Sequence, residues 1–247
     1  MNRFKLCIEY DGSPYCGFQK QFDIEQKSVA EILENAIFLL TQEKVKIFPS
    51  GRTDAGVHAL EQVIHFDLEK EFDAKKIVSG LNNYLRRELI SVLNCEQVDE
   101  NFHARFGAKM RHYRYAIVNR PAPLAIKAKQ AFHVSKKLDI LVMKEAAKFL
   151  VGTHDFSSFR DSQCQASSAI RSIERIEISQ NGEEIFVEIS AKSFLHHMVR
   201  NIVGTLIWAG KRRISAAEVK NILEARDRTK SGPNAPAYGL YFLRTDY

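Results

Sequence analysis

The pattern of apolar and polar positions predicts a chain of short strands and amphipathic helices. Apolar and polar residues alternate from Phe4 to Tyr10, which is typical of a half-buried strand. Ser28 and Glu31 then form the sequence signature of a capping box at the start of a helix. The apolar residues that follow at helical spacing are Val29, Ile32, Leu33, Ala36, Ile37 and Leu40. They predict one buried face on this helix.

The remainder of the first half continues with the same kinds of element. Apolar and partly β-branched runs at 45–48 and 62–66 predict two strands separated by a loop. Asp73 is placed to cap a second helix, and the run 90–93 predicts another strand. The resulting order is strand, helix, strand, strand, helix, strand. That is the order of an RRM-like or ferredoxin-like α+β unit.

The second half is also predicted to mix strands and helices. Its predicted elements are a strand over 111–118, a helix over 138–150, a polar loop over 152–160, a hairpin of 171–179 and 185–191, a helix from Phe194 to Trp208, a short helix capped by Ser215 and a final strand over 238–243. The hairpin rests on Asn181-Gly182, a common sequence for a tight turn.

Composition places the chain among ordinary globular proteins. Its 247 residues are enough for one large domain or two small ones, and 45% of them are hydrophobic. No apolar run approaches the roughly 20 residues of a membrane span, and the start of the chain predicts no signal peptide. The four cysteines are far apart and form no Cys-x-x-Cys pair, which disfavours a zinc site or a disulfide framework and indicates a cytoplasmic protein.

The charge of the chain favours a polyanionic partner such as RNA. The formal net charge is +6. Aromatic and cationic residues are interleaved over 101–115, a pattern that suits stacked bases and phosphates. The alternative is a strand with its tyrosines in the core and its arginines in solvent. The mixed segment 15–21 leaves a similar choice between packing on the core and facing RNA.

The segment 50–59 reads Ser-Gly-Arg-Thr-Asp-Ala-Gly-Val-His-Ala and carries the main candidate chemistry. Gly51 and Gly56 permit backbone shapes that other residues avoid, so the segment predicts a tight loop that directs Asp54 outward. A carboxylate on a loop between two strands is well placed for catalysis. The plainer alternative is an aspartate that only hydrogen-bonds its own backbone before a turn.

Five motifs in this chain resemble those of the TruA-type tRNA pseudouridine synthases, in the family's order. They are Glu-Tyr-Asp-Gly-Ser at 9–13, Gly-Arg-Thr-Asp-Ala-Gly-Val-His at 51–58, Phe-His-Ala-Arg with Arg-x-Tyr-x-Tyr over 102–115, His-His-Met-Val-Arg-Asn at 196–201 and Gly-Leu at 239–240. The resemblance runs from Phe4 to the last strand.

This resemblance implies an enzyme that isomerises uridine to pseudouridine in tRNA, at positions 38, 39 and 40 of the anticodon stem-loop. The fold it implies is α+β, with two RRM-like halves whose antiparallel sheets flank a central catalytic cleft. Residues 1–101 would form the half that carries the aspartate loop, and 102–247 the half that carries the tyrosine and arginine of the site. The resemblance further implies a cytoplasmic homodimer that binds tRNA.

The resemblance also assigns roles to individual residues. Asp54 would be the catalytic nucleophile and would pair with Arg200. Tyr113 would lie against the target uridine, Arg52 would fill the space left by the extruded nucleotide, and Leu240 would pack near the active-site base. The isomerisation oxidises nothing and imports no group, so we expect no cofactor and no metal. The sequence leaves open whether Asp54 attacks C1′ or C6.

Two other functions are compatible with parts of the sequence. A non-catalytic RNA-binding protein on the same scaffold would be expected to lack part of the set Asp54, Tyr113 and Arg200, and all three are present. A metal-dependent nuclease needs clustered carboxylates, and the closest acidic neighbour of Asp54 in the sequence is Glu61. The adjacent histidines at 196–197 suggest a metal, but on the predicted helix they would point in different directions.

Overall fold

The computed structural model describes residues 1–21 and 25–247, which divide into two compact units. Unit 1 consists of Met1–Arg111 and Phe242–Tyr247, and unit 2 consists of His112–Tyr241. The described residues form ten strands and five α-helices, and most of the strand pairs are antiparallel. The predicted α+β class is therefore confirmed.

Unit 1 contains the first six elements of the chain. They are β1 (Asn2–Tyr10), α1 (Val29–Thr41), β2 (Phe48–Pro49), β3 (His58–Leu68), α2 (Ala74–Tyr84) and β4 (Ile90–Val98). This is the predicted order of strand, helix, strand, strand, helix, strand. The strands lie in the order β4-β1-β3, and β2 also pairs with β3. Phe4 of β1 lies opposite Phe66 of β3, and their stacked rings are part of a fully buried core.

The two helices of unit 1 begin where the sequence predicted. Ser28 and Glu31 form a complete capping box before α1, and the Asp73 side chain accepts the N–H of Lys76 at the start of α2. Five of the six residues predicted for the apolar face of α1 are buried. The exception is Leu40, which is half-buried, whereas the next residue, Thr41, is buried.

The predicted strand at 45–48 is wrong for most of its length, because only Phe48 and Pro49 form β2. The N–H of Ile47 donates to the Glu34 carboxylate at 3.1 Å instead of to a neighbouring strand. Pro49, the second residue of β2, has no N–H to donate to a ladder. The opposite error occurs at β3, which begins at His58 and so includes the end of the predicted loop.

Unit 2 begins within β5 and ends within β10. Its elements are β5 (Met110–Asn119), β6 (Phe132–Val134), α3 (Ile140–Lys148), β7 (Gly152–Asp155), β8 (Ile170–Asn181), β9 (Glu184–Ala191), α4 (Met198–Gly210), α5 (Ala216–Ala225) and the start of β10 (Leu240–Asp246). The strands lie in the order β5-β9-β8-β7, and β6 runs parallel to β5. The predicted hairpin of β8 and β9 is confirmed, with Gly182 at a φ of 58° in its turn.

Two boundaries in unit 2 differ from the prediction. The segment predicted as a polar loop over 152–160 begins with β7, which pairs with β8 from Gly152↔Ile173 onward. The helix predicted from Phe194 begins only at Met198, because His197 has a φ of 59° and interrupts right-handed helical geometry.

The sequence-based division at 101/102 stays a prediction. Among the described residues, no helix has both the length and the apolar character needed to cross a membrane.

Candidate active site

The backbone of Asp54 is held on two sides within unit 1. The N–H of Val57 donates to the Asp54 carbonyl at 3.1 Å, and Gly56, the third residue of this turn, has a φ of 78°. This is the geometry of a type II turn, which favours glycine at that position. Asp54 also forms an isolated antiparallel bridge with Gly17. The loop is therefore tight, as predicted, and its carboxylate residue is half-buried.

Gly17 is required by the close approach of another chain segment to this loop. It has a φ of 114°, and a Cβ at this position would lie 2.9 Å from the carbonyl oxygen of Thr53. The N–H of Phe18 donates to that same oxygen at 3.0 Å. Tyr15, Cys16 and Phe18 are buried. Of the two alternatives for 15–21, packing on the core is therefore confirmed for these residues.

A buried network fixes the start of the loop. The Ser50 hydroxyl donates to the side-chain oxygen of Gln62 at 2.5 Å, and the Gln62 amide donates to the carbonyl of Gly51 at 2.7 Å. The Thr245 hydroxyl donates to Ser50 Oγ at 2.8 Å, and Arg111 Nε donates to the Ser50 carbonyl at 2.8 Å. Ser50 and Gln62 are fully buried. Breaking one of these bonds would leave a buried polar group unsatisfied, which is costly.

The sequence carries one signal of this network, which is the glutamine at the start of the apolar run 62–66, because a buried amide needs hydrogen-bonding partners. Its partners Arg111 and Thr245 lie far away in the sequence and could not be inferred from spacing.

A second buried contact lies directly before Asp54. The hydroxyl groups of Tyr10 and Thr53 are hydrogen-bonded at 2.7 Å, and both residues are buried. Burial raises the pKa of Tyr10 to about 12, so the phenol stays protonated at neutral pH. Arg52, which comes directly before Thr53, is exposed. Its guanidinium has no hydrogen bond or ion pair with any residue that the structure describes. The loop therefore buries Thr53 and leaves Arg52 in solvent.

In unit 2, the tyrosines of β5 are buried. Tyr113 is 9% exposed, and its ring meets Phe194 edge-on, with 5.1 Å between ring centroids. Tyr115 is completely buried and donates its hydroxyl to the carbonyl of Pro236 at 2.7 Å. Burial raises the pKa of Tyr115 well above its ordinary value, so it is a structural phenol. The alternative with tyrosines in the core is confirmed for both residues, whereas Arg111 and Arg114 of the same strand are half-buried and not fully in solvent.

Arg200 lies in the first turn of α4 and is half-buried. Its Nε donates to the carbonyl of Ala235 at 2.7 Å, and the N–H of Ala235 donates back to the Arg200 carbonyl at 3.2 Å. A Cβ on Gly204, one turn further along α4, would lie 1.8 Å from the Pro233 carbonyl oxygen. The segment before β10 is thus packed directly on this helix, and it orients the arginine.

A histidine pair stands at the start of α4. The rings of His196 and His197 stack with 3.9 Å between centroids, so the expectation that they diverge is wrong, because they precede the helix. His197 Nδ1 lies 2.7 Å from a carboxylate oxygen of Asp161. Although burial opposes it, the Gln163 N–H and His197 hold the pKa of Asp161 below its ordinary value. No sequence signal pointed to Asp161.

Leu240 is the first residue of β10 and is buried. The residue before it, Gly239, lies so close to Tyr115 that a Cβ would be 2.6 Å from that ring. The hydrogen bond from Tyr115 to Pro236 holds the same turn. The position of Leu240 is therefore set by the buried tyrosine of β5.

The fold and the rigid aspartate loop together define the class of this protein. It is an α+β protein that carries a candidate catalytic carboxylate on a loop between two strands. The chain belongs to the tRNA pseudouridine synthase family, because the family model of that description matches residues 6–107 and 146–247. The two matched stretches contain Arg52, Asp54, Arg200 and Leu240, and Tyr113 lies between them.

Two individual proteins are similar to this chain over nearly its whole length. The tRNA pseudouridine synthase A of Wolbachia pipientis wMel is 51% identical over 245 residues, which cover 99% of this chain and 100% of that protein. The tRNA pseudouridine synthase A of Anaplasma phagocytophilum (strain HZ) is 48% identical over 245 residues, with the same coverage of both chains.

Proposed function

We propose that this protein isomerises uridine to pseudouridine in tRNA, at positions 38, 39 and 40 of the anticodon stem-loop. The observation that carries this proposal is the 51% identity to a tRNA pseudouridine synthase A over 99% of the chain. The glycine-fixed loop around Asp54 supports it, because a catalytic carboxylate must be held in one position relative to its substrate.

The reaction needs a nucleophile and proton transfers, but no external group. The bond between C1′ and N1 of uracil breaks, the base rotates, and a bond between C1′ and C5 forms. C5 then loses its proton, N1 gains one, and the oxidation state of the whole nucleoside is unchanged. Chemistry of this kind requires neither a redox cofactor nor a metal.

Asp54 is the nucleophile in this proposal. Aspartate is ordinarily ionised at neutral pH, and the proposed pairing with Arg200 would favour the ionised form further. The carboxylate attacks either C1′, which would give an ester to the ribose, or C6, which would give an adduct of the base. Its half-buried position and fixed backbone support a role in attack, since a fixed group loses little freedom when the substrate arrives.

The other site residues are assigned to substrate binding. A paired or stacked uridine is unreachable unless it is flipped out. The ring of Tyr113 would stack on the flipped uracil, and Leu240 would give an apolar contact to the base. Arg52 would occupy the space that the nucleotide leaves. The exposed guanidinium of Arg52 supports this role, because an unoccupied cation suits a polyanionic substrate.

The finer architecture is proposed together with the function. Both units would be RRM-like halves that flank a catalytic cleft, and the order β4-β1-β3 with β2 beside β3 in unit 1 supports this description. The protein would act in the cytoplasm as a homodimer on tRNA. The net charge of +6 agrees with a nucleic-acid substrate.

Tritium release from tRNA that carries 5-tritiated uridine tests the function directly. Wild type, Asp54→Ala and Asp54→Asn would be compared in EDTA with a control, Glu61→Gln, which changes an exposed acid of β3. We expect release by wild type and by the control, and no release by either Asp54 variant, with tRNA binding retained. The modified positions would be mapped in the product by carbodiimide treatment and primer extension.

The unfavourable outcomes are separable. Release by both Asp54 variants at the wild-type rate would show that Asp54 is not the nucleophile. Binding of cognate tRNA transcripts without release by wild type would favour the non-catalytic RNA-binding alternative. Loss of wild-type release in EDTA alone would show that a metal is required.

A further inference from the structure

A highly exposed aromatic side chain stands in unit 1, outside the residues assigned to the reaction. Phe106 is 79% exposed and lies in the short segment 102–107 before β5. Among the Phe, Tyr and Trp residues that the structure describes, the next most exposed are Tyr84 at 45% and Phe149 at 37%. A single exposed apolar residue is common, so the surroundings of Phe106 decide whether it has a role.

The ring of Phe106 rests on a fixed histidine. The ring centroids of His103 and Phe106 are 4.4 Å apart. His103 Nδ1 accepts the N–H groups of Arg105 at 3.1 Å and of Phe106 at 3.3 Å. Burial and the nearby cations Arg3 and Arg105 lower the pKa of His103, so the imidazole stays neutral and keeps Nδ1 as an acceptor. The backbone under Phe106 is therefore held by a side chain.

This histidine is itself supported from the core. The His103 and His65 rings are 4.6 Å apart, and His65, which is 2% exposed, stacks on Phe48 at 5.0 Å. Both polar backbone groups of Ala104 are occupied, because its N–H donates to His65 Nδ1 at 3.2 Å and its carbonyl accepts the Tyr247 hydroxyl at 2.8 Å. A continuous row of rings thus leads from the buried His65 to the exposed Phe106.

Cations accompany this row of rings. The guanidinium of Arg105 is 5.9 Å from the centroid of Phe106, and the exposed Lys46 is 5.5 Å from the centroid of Phe48. The carbonyl of Arg105 accepts a hydrogen bond from Arg111 at 2.7 Å, and Arg111 also holds Ser50 at the start of the aspartate loop. The segment is therefore tied to the same framework as Asp54.

We propose that Phe106 is a stacking platform for an unpaired nucleobase of the tRNA, and that Arg105 contacts the adjacent phosphate. This inference rests on the proposed function for the identity of the RNA. An unpaired nucleotide fits the platform because its base offers a flat apolar face and its phosphate offers the charge that Arg105 complements. A protein partner fits less well, since Phe106 is the one exposed large apolar residue of the segment 102–107.

The test measures tRNA affinity in the Asp54→Asn background and steady-state tritium release in the wild-type background. The variants are Phe106→Ala, Phe106→Trp and Arg105→Ala, and the matched control is Tyr84→Ala, which removes another exposed ring of unit 1. The stacking of one base on an aromatic ring typically contributes enough binding free energy that replacing the ring with alanine raises Kd by about 10-fold. We expect that rise for Phe106→Ala, together with a similar rise in KM and a change in kcat below about twofold.

The remaining variants separate stacking from general packing. Phe106→Trp is expected to restore the wild-type Kd, and Tyr84→Ala to leave it unchanged. Arg105→Ala is expected to reduce the slope of log Kd against log salt by about one, as for the loss of one phosphate contact. Phe106→Ala is expected to bind a fully paired RNA stem as wild type does, because a paired stem offers no free base.

Several results would overturn the proposal. One is a wild-type Kd for Phe106→Ala. Another is an equal loss of affinity by Phe106→Ala for tRNA and for the paired stem. A third is weaker tRNA binding by Phe106→Trp together with a lowered urea midpoint, which would show a packing role. Wild-type tritium release with an unaffected Phe106→Ala would refute the platform and leave the proposed function intact. If wild type releases no tritium and Phe106→Ala still weakens tRNA binding tenfold, the proposed function would be refuted and the platform supported.

Discussion

His65, a buried histidine of unit 1, should make the stability of this protein fall between pH 7 and pH 5. His65 is 2% exposed, and its Nδ1 already accepts the N–H of Ala104. A proton on Nδ1 would have to displace that hydrogen bond and would place a charge in a buried site near Arg3. Burial, then the neighbouring His103 and Arg3, lower the pKa of His65 from 6.5 to about 4.

The size of the effect follows from the two pKa values. In the unfolded chain His65 binds a proton near pH 6.5, and in the folded protein only near pH 4. The unfolded state therefore holds more protons between these values, so stability decreases as the pH falls through this window. The expected loss in the free energy of unfolding is about 2 kcal/mol between pH 7 and pH 5. It approaches about 3 kcal/mol once the folded protein is also protonated.

Urea unfolding followed by far-UV circular dichroism at pH 7 and pH 5 would measure this loss. The variant His65→Asn keeps a side-chain acceptor for the Ala104 N–H but cannot take up the proton. Other groups titrate in both proteins, so the informative quantity is the difference between their pH-dependent losses. We expect wild type to lose about 2 kcal/mol more than His65→Asn. His133→Asn, which changes a half-buried histidine of unit 2, is the control for replacing a histidine by asparagine outside unit 1.

Equal losses in wild type and His65→Asn would refute this reasoning. They would show that His65 does not change its protonation between the folded and unfolded states in this range. A difference in the free energy of unfolding that is the same at both pH values would not matter, because it would reflect only the packing of the two side chains.

Three further substitutions test the framework around the site. Gly17→Ala places a methyl group against the aspartate loop at a φ of 114°, so single-turnover tritium release should fall by about 100-fold with tRNA binding retained; a wild-type rate would contradict this. Tyr115→Phe leaves the Pro236 carbonyl with only the longer hydrogen bond from the Gly239 N–H and should lower the free energy of unfolding by about 1 kcal/mol, which an unchanged urea midpoint would exclude. Asp161→Asn removes the charged partner of His197. Its stability deficit should be greatest near neutral pH and disappear in acid, where the wild-type carboxylate is also protonated; a deficit independent of pH would disprove that role.

The sequence by itself determined the features that depend on neighbouring residues. The capping boxes at Ser28 and Ser215, the apolar face of α1 and the order of elements in unit 1 were all predicted from local patterns and confirmed. The turn at Asp54 followed from Gly56 in the same way. Caps, amphipathic periodicity and glycine turns are set by interactions within a few residues, so they can be recognised without the fold.

Only the tertiary structure decided the features that depend on distant partners. β2 is short because Glu34 takes the N–H of Ile47, and Asp161 supports the left-handed His197 before α4. The network that joins Ser50 to Thr245 links residues that are 195 positions apart in the sequence. Buried polar groups must find partners wherever the fold brings them, and spacing along the chain carries no record of those partners. The loop that carries Asp54 was therefore visible in the sequence, whereas the contacts that make it rigid were not.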